Sequence, residues 1–146
     1  MTDTSTASVN PLRVLVVDDS AWLRQSIRVA LERAGLIVVG EAADGGQALA
    51  QAEAQRPDVV LMDLRMPGMD GIETTRALRQ RQPGTYVVLW TGEDDAQLAS
   101  AIRESGADAG VAKGVCTVDL IATLQETCAS ILGLSAAPPP RATARP

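Results

Sequence analysis

Short apolar runs recur along the chain, and each is followed by polar residues. The runs are rich in β-branched side chains and too short for helices, which is typical of strands buried on both faces. One of them leads into Asp63, after which a turn at residues 66–71, with a proline and two glycines, makes the backbone leave the sheet sharply. We predict strands at residues 12–17, 36–41, 59–62, 86–90 and 109–112.

Between the strands, apolar residues return at the spacing of amphipathic helices. Leu23, Ile27 and Leu31 share one face of the first such segment. Ser20 is placed to cap its start and Gly35 to end it. We predict helices at residues 21–34, from the turn at 44–46 to residue 55, at 72–81, from a cap at Asp94 or Asp95 to about residue 104, and at 117–132.

Strands that alternate with helices predict an α/β fold. Because parallel neighbours need crossover connections and these are right-handed, the alternation favours one doubly wound, five-stranded parallel sheet with helices on both faces. Functional sites of such sheets lie at the carboxyl ends of the strands. The residues that directly follow the predicted strands are therefore the first candidates for chemistry.

Five polar residues occupy these strand ends: Asp18, Asp19, Asp63, Thr91 and Lys113. Each has an ordinary structural explanation by itself, as a neighbour of a helix cap, a turn residue or a solvated charge. Together they form a chemical set. Three carboxylates in one place repel one another, and the pKa of at least one of them rises unless a cation lies among them.

Mg²⁺ suits this set because it prefers oxygen ligands and is often held by one or two carboxylates. Together with the ammonium of Lys113 it would balance the three negative charges and allow a phosphoryl group to enter. Asp63 is then placed to act as a nucleophile that forms an acyl phosphate. Thr91 and Lys113 would stabilise the phosphoryl oxygens. No residue of the set is a general base for a second substrate, so the phosphorylated form is expected to persist.

Composition narrows the functional classes. The 146 residues suit one domain. A net charge of −5 without a basic cluster argues against direct nucleic-acid binding. No apolar run approaches the ~18 residues that span a bilayer, so we expect a soluble, cytoplasmic protein without membrane contact. The chain has no histidine, which excludes a phosphohistidine or a histidine metal ligand within it. Cys116 and Cys128 have neither zinc-site nor redox spacing and are interpreted as small apolar residues.

The strand-end residues stand in a specific context: Asp18-Asp19, Asp63 within residues 62–71, Thr91-Gly92, and Lys113. This set resembles the receiver domain of bacterial two-component response regulators. The resemblance covers about residues 12–132 and implies a flavodoxin-like (βα)5 sheet with strand order 2-1-3-4-5. Residues 66–73 and the pair Lys113-Gly114 are similar to the subgroup that carries a LuxR-type DNA-binding domain.

The resemblance also implies roles for the acidic residues. Asp63 would be the phosphoacceptor, which takes its phosphoryl group from a sensor histidine kinase or a phosphotransfer protein. Asp19 would bind Mg²⁺ directly and Asp18 mainly through water, and the main-chain carbonyl of Arg65 would be a further ligand. The output would be a change in contacts with an unidentified partner or a second copy of the chain.

The switching residues show one departure from the family. Thr91 would be the switch hydroxyl and Lys113 the phosphoryl partner, but Gly110 stands three residues before the lysine, where receivers usually have Tyr or Phe. The aromatic readout of the family therefore cannot operate in its usual form. A receiver that acts as a phosphorylation-independent interaction module is the alternative function. A third candidate is a phosphatase with an aspartate nucleophile. Such enzymes commonly need a second acid two residues after the nucleophile, and because Arg65 occupies that position here, this function is disfavoured.

The first predicted helix begins beside the site and is the expected docking surface for the kinase or phosphotransfer protein. Trp22, Leu23 and Ser26 could meet a helical partner there. This expectation rests on analogy with the family and on proximity in the sequence.

We expect three segments in the chain: a disordered N-terminal segment at residues 1–10, the receiver domain at 11–133, and a Pro/Ala-rich disordered tail or linker at 134–146. The tail cannot bury a core and resembles an interdomain linker. The chain is therefore either a stand-alone receiver or the receiver part of a longer transcription factor.

Overall fold

The computed structural model describes residues 11–92, 94–114 and 117–129. Within them, five parallel strands form one sheet in the order β2-β1-β3-β4-β5, which confirms the predicted fold class and strand order. The strands are β1 Arg13–Val17, β2 Ile37–Ala42, β3 Val59–Asp63, β4 Tyr86–Thr91 and β5 Ala109–Ala112.

Helices cover both faces of this sheet. The described helices are α1 Ala21–Arg33, α2 Gly45–Gln55, α3 Gly71–Arg81, α4 Asp95–Ser105 and α5 Thr117–Thr127. Side chains of α1 and α5 pack into one core, and side chains of α2, α3 and α4 pack into the other. The sheet therefore separates two hydrophobic cores.

Strand β1 is buried on both faces, as expected for a strand inside a parallel sheet. Leu15 and Val17 belong to the core beneath α2, α3 and α4, whereas Val14 and Val16 belong to the core beneath α1 and α5. Because successive side chains of a strand point to opposite faces, one continuous apolar run supplies both cores.

Side-chain caps set where four of the helices begin. The residues Ser20, Asp44, Asp70 and Asp94 each accept a hydrogen bond from the backbone N–H three residues later. Asp70 also forms a capping box with Glu73. The predicted cap at Ser20 is confirmed, and Asp94 rather than Asp95 caps α4.

Helix α3 begins at Gly71, one residue earlier than predicted, because Asp70 is its cap. A Cβ on Gly71 would lie 2.4 Å from the carbonyl oxygen of Asp63. Only glycine lets the helix start this close to the end of β3. The backbone N–H of Gly71 also donates to the carbonyl oxygen of Leu64 at 3.0 Å, which holds the intervening turn next to Asp63.

Helix α2 ends at Gln55, as predicted from Pro57. The residue before a proline is disfavoured in helical geometry, and Arg56 turns into the left-handed region with φ 50°. The guanidinium of Arg13 donates to the carbonyl oxygens of Gln55 and Arg56 at 2.7 and 2.6 Å. These hydrogen bonds satisfy carbonyl groups that the end of a helix leaves without partners.

Some predictions fall outside the described residues: the N-terminal segment 1–10, Cys116, the helical residues 130–132 and the tail 134–146. Cys128 is fully buried, and burial raises the pKa of its thiol to about 12, in agreement with an apolar role. None of the helices in the described part of the chain is both long and apolar enough to cross a membrane.

Candidate functional site

The carboxyl edge of the sheet brings three acidic side chains together. β1 and β3 are neighbours, with Val17 paired to Met62. The residues that come next, Asp18 and Asp63, therefore lie side by side. One carboxylate oxygen from each of Asp18, Asp19 and Asp63 lies within 4.8 Å of the other two.

Lys113 reaches this acidic cluster from the end of β5. Its Nζ atom lies 2.9 Å from Asp18 Oδ2 and 3.2 Å from Asp63 Oδ1. Its backbone N–H donates to the carbonyl oxygen of Thr91 at 2.7 Å, which ties the loop after β5 to the end of β4. Thr91 is itself buried as the last residue of β4. The structure thus brings the carboxylates and the lysine into contact, with Thr91 joined to them through the main chain.

Burial shapes the electrostatics of Asp63. Asp18 and Asp63 are only 1% and 2% exposed. Burial raises the pKa of Asp63 and the charge of Asp18 raises it further, whereas Lys113 and the backbone N–H of Arg65 oppose the rise. The net direction is upward, as predicted for one of three crowded carboxylates.

Lys113 stays a cation despite its partial burial. Burial by itself lowers the pKa of this ammonium, but the hydrogen bonds and charges of Asp18 and Asp63 outweigh that effect and raise the pKa overall. One ammonium faces two buried carboxylates, and Asp19 adds a third nearby. The site therefore keeps an excess of negative charge.

The donor set fits a hard divalent cation. Three carboxylate oxygens within reach of one point are the ligands that Mg²⁺ prefers, and the excess negative charge favours a cation. The backbone N–H of Arg65 donates to Asp63 Oδ1 at 3.3 Å, while the ligand role of its carbonyl stays a prediction. An open cleft adjoins the cluster and is lined by Asp19, Arg65, Met66, Gly68 and Asp70.

Sequence reasoning missed Arg24, which braces the loop after β1. Its Nη1 donates to the carbonyl oxygen of Asp18 at 2.5 Å, and its Nε donates to Glu41 Oε1 at 3.0 Å. Arg28 binds the other carboxylate oxygen of Glu41 at 2.8 Å. On the sequence both arginines are simply polar positions of α1. Their ion pairs with Glu41 of β2 depend on tertiary packing, which no local sequence pattern predicts.

Side chains of helix α4 lie directly over the backbone of Gly110. A Cβ on Gly110 would lie 2.6 Å from Leu98 Cδ1 and 3.0 Å from Ile102 Cδ1. Side chains of α4 therefore fill the space next to β5 where an aromatic ring at this position would have to fit. The departure from the family pattern extends beyond one residue to the packing of a helix.

The fold and the site define a class: an α/β protein with a parallel sheet whose strand ends gather acidic side chains around one lysine. Residues 14–125 match the family model of the response regulator receiver domain. The chain belongs to this family, which confirms the resemblance drawn from the strand-end residues.

Individual relatives support this membership. The nitrate/nitrite response regulator protein NarL of Escherichia coli strain K12 is 35% identical over 129 residues, which are 87% of this chain and 59% of NarL. A crystal structure of a LuxR-family two-component response regulator from Aurantimonas has a TM-score of 0.75 and 34% identity, covering 92% of this chain and 95% of that one. The expected similarity to the LuxR-type subgroup is thus confirmed.

The chain is short relative to its curated relatives. A protein-glutamate methylesterase/protein-glutamine glutaminase of Alkalilimnicola ehrlichii is 51% identical over 81 residues, which are 55% of this chain but 20% of that protein. The chain spans about three fifths of the length of NarL, so the similarity lies in the receiver part of these proteins.

Proposed function

We propose that this chain is a phosphoacceptor of two-component signalling. Asp63 takes a phosphoryl group from a phosphohistidine of a partner kinase or phosphotransfer protein, with Mg²⁺ required. The observation that carries the proposal is the contact of the Lys113 ammonium with the buried carboxylates of Asp18 and Asp63. Membership of the receiver family supports the reaction class. Because this chain has no histidine, the donor histidine lies outside it.

In the proposed step, a carboxylate oxygen of Asp63 forms a bond to phosphorus while the bond from phosphorus to the donor nitrogen breaks. The donor nitrogen keeps the electron pair. Lys113 would pair with a phosphoryl oxygen, and Thr91 would donate its hydroxyl to another. Both act by electrostatic stabilisation of the charge on the phosphoryl group.

The proposed metal ligands are Asp19, Asp63 and the main-chain carbonyl of Arg65, with Asp18 acting through water. When bound, Mg²⁺ offsets the negative charge of the carboxylates and of the phosphoryl oxygens. Without a divalent cation, an incoming phosphoryl group would meet the excess negative charge of the pocket. We therefore expect the reaction to depend on the metal.

The proposed role is signalling rather than enzymatic, since the product is the modified protein itself. The receiver domain would span residues 11–133 and act in the cytoplasm. Phosphorylation would change contacts with an output partner or with a second copy of the chain. The net charge of −5 supports the absence of direct nucleic-acid contact.

We propose that the phosphohistidine donor docks at the start of α1. Trp22 is 76% exposed, and an exposed side chain of this size next to the site suits contact with a helix of the donor. Leu23 and Ser26 line a cavity that also reaches Lys113. Trp22→Ala should slow transfer from a phosphohistidine donor but spare labelling by acetyl phosphate, which needs no docking. An equal loss with both donors would contradict the docking surface.

Incubation with acetyl phosphate and Mg²⁺, followed by intact-mass measurement, tests the phosphoacceptor role. The wild type should gain one phosphoryl group, and Asp63→Asn should gain none. Asp58→Asn is the matched control. Asp58 directly precedes the first residue of β3, at the opposite end of the strand from Asp63, so this variant should be labelled like the wild type. Equal adducts on the wild type and Asp63→Asn, or no adduct on either, would overturn the proposal.

The second candidate function is a phosphorylation-independent interaction module. The observation that favours it is Gly110, because Leu98 and Ile102 fill the space that an aromatic switch would use. Beryllofluoride with Mg²⁺ mimics the phosphorylated state and separates the two candidates. Self-association or partner binding that changes on its addition supports the switch, and no change in either supports the module.

A further inference from the structure

The ammonium of Lys113 lies over the ring of Trp90, with Nζ 5.1 Å from the ring centroid. This distance is within the range of about 6 Å for cation–π interactions. Trp90 is 4% exposed and directly precedes Thr91 in β4. Lys113 therefore contacts an aromatic face in addition to two buried carboxylates.

The indole of Trp90 leaves a donor unsatisfied. In the part of the chain that the structure describes, its Nε1 is buried and has no hydrogen-bond partner. A buried N–H without a partner costs free energy, and a leucine or phenylalanine would fill the core without that cost. The indole therefore needs an explanation other than core filling. The ammonium over its face provides one, because tryptophan binds cations better than the other aromatic side chains do.

The lysine side chain also borders open space. A cavity of about 200 Å³ between α1 and α5 is lined by Lys113 and Trp90, together with residues such as Trp22, Leu23, Thr117 and Leu120. A lysine has a long, flexible stem, so an ammonium next to a cavity has room to swing away. The ring of Trp90 borders the ammonium on one side and limits this movement.

We propose that Trp90 is a positioning residue whose indole face holds the Lys113 ammonium between Asp18 and Asp63, where an incoming phosphoryl group needs a cation. This inference rests on the proposed function, which makes Lys113 the phosphoryl partner. Trp90 itself touches neither the phosphoryl group nor the metal in this scheme. It acts through the lysine.

The chain contains a single lysine, which allows a direct spectroscopic test. Protein labelled with ¹³C,¹⁵N-lysine gives one set of NMR signals, all from Lys113. Ring currents of Trp90 should shift the lysine ε protons upfield of their position in a short peptide. The shift should be smaller in Trp90→Phe and absent in Trp90→Leu. A wild type without an upfield shift would overturn the proposal, whether or not any variant folds.

Rates of phosphorylation by acetyl phosphate at saturating Mg²⁺ give the functional readout. Trp90→Leu should react about three- to thirtyfold more slowly, the factor that corresponds to a cation–π contact at a partly desolvated site. Trp90→Phe, which keeps an aromatic face, should regain much of the rate. Val88→Ala is the control because it removes volume from the same buried core, two residues earlier in β4. It should lose stability but keep the rate of phosphorylation.

The outcomes separate this inference from the function on which it rests. If the wild type is labelled and Trp90→Leu reacts at the wild-type rate, the positioning role is wrong and the phosphoacceptor role stands. A loss of rate in Val88→Ala that equals the loss in Trp90→Leu would also overturn the positioning role. If the wild type is not labelled, the proposed function fails, and the ring-current shift alone decides whether Trp90 holds the lysine.

Discussion

The δ1 methyl group of Leu98 lies 2.6 Å from the point that a Cβ on Gly110 would occupy. Helix α4 therefore packs directly against the backbone of β5 at Gly110. Gly110→Ala should force Leu98 aside and lower the free energy of unfolding by about 1–2 kcal/mol. Chemical denaturation at equilibrium measures this loss.

A double-mutant cycle tests the physical reason for that loss. Leu98→Ala should cost less stability in the Gly110→Ala background than in the wild type, because it also removes the clash with the new methyl group. Gly84→Ala is the control, since a Cβ there meets nothing within 4 Å, and its effect should stay within about 0.5 kcal/mol. Strictly additive costs for Leu98→Ala and Gly110→Ala would show that the two positions do not compete for space.

Asp63→Asn should stabilise the protein in buffer that contains EDTA. The buried carboxylate of Asp63 lies against Asp18 and Asp19, and asparagine removes one of the three charges while keeping the shape. We expect a gain of about 0.5–2 kcal/mol in the free energy of unfolding at neutral pH. Asp58→Asn should give no such gain, because Asp58 Oδ2 accepts a hydrogen bond from the backbone N–H of Arg13 at 2.9 Å.

The stability difference between the wild type and Asp63→Asn should depend on pH with a defined sign. Because the pKa of Asp63 is raised in the folded protein, the folded state binds a proton at this carboxyl more tightly than the unfolded state does. The wild type keeps this contribution below the ordinary carboxyl pKa and loses it as the pH rises through the raised pKa. The advantage of Asp63→Asn should grow across that window and then level off. An advantage that shrinks as the pH rises would contradict the raised pKa.

Mg²⁺ should raise the melting temperature of the wild type in a saturable way. A ligand that binds only the folded state stabilises it by about 1.4 kcal/mol when its free concentration is ten times the dissociation constant. Asp19→Asn should lose most of this effect because it removes a proposed direct ligand. Glu126→Gln, at an exposed position of α5, should respond like the wild type. Equal responses of Asp19→Asn and the wild type would argue against Asp19 as a ligand.

Arg79→Met should destabilise the protein by about 3 kcal/mol, since it removes the cation that forms an ion pair with the buried carboxylate of Asp108. Asp108 is 4% exposed, forms an ion pair with Arg79 and accepts a hydrogen bond from the Val87 N–H at 2.9 Å. Arg79 also donates to the carbonyl oxygen of Gly106 at 2.9 Å, which ties α3 to the end of α4.

The matched control for Arg79→Met is an exposed ion pair on α1. Arg28 and Glu32 lie four residues apart with a separation of 3.2 Å. Glu32→Gln should cost less than about 0.5 kcal/mol because solvent screens such pairs. Thermal and denaturant unfolding of both variants give the comparison, and similar losses would contradict the assigned burial of Asp108.

Apolar runs located all five strands to within one residue. A strand buried on both faces leaves a continuous apolar run in the sequence, and the carboxyl ends of parallel strands lie at one edge of the sheet. The sequence therefore predicts which site residues lie together. The apolar runs predict Asp63 and Thr91 just beyond their strands, whereas both residues are the last of their strands. Backbone pairing continues past the apolar run, as the register of Asp63 with Trp90 shows.

Contacts that depend on side-chain direction across distant segments could not be predicted in this way. The bond of Arg24 to Glu41 and the stacking of Lys113 on Trp90 join residues with no shared local pattern. The packing of Leu98 against Gly110 could not be predicted either, because a glycine in a strand gives no indication of which side chain packs over it.

The pocket is discontinuous in the chain. Its acidic part comes from the ends of β1 and β3, its cation from the residue after β5, and β4 lies between them in the sheet. A fragment that lacks β1, β3 or β5 cannot assemble this pocket, so phosphorylation and the folded structure should be lost at the same denaturant concentration. Under the proposed function, the fraction of molecules labelled at Asp63 therefore also measures the fraction that is fully folded.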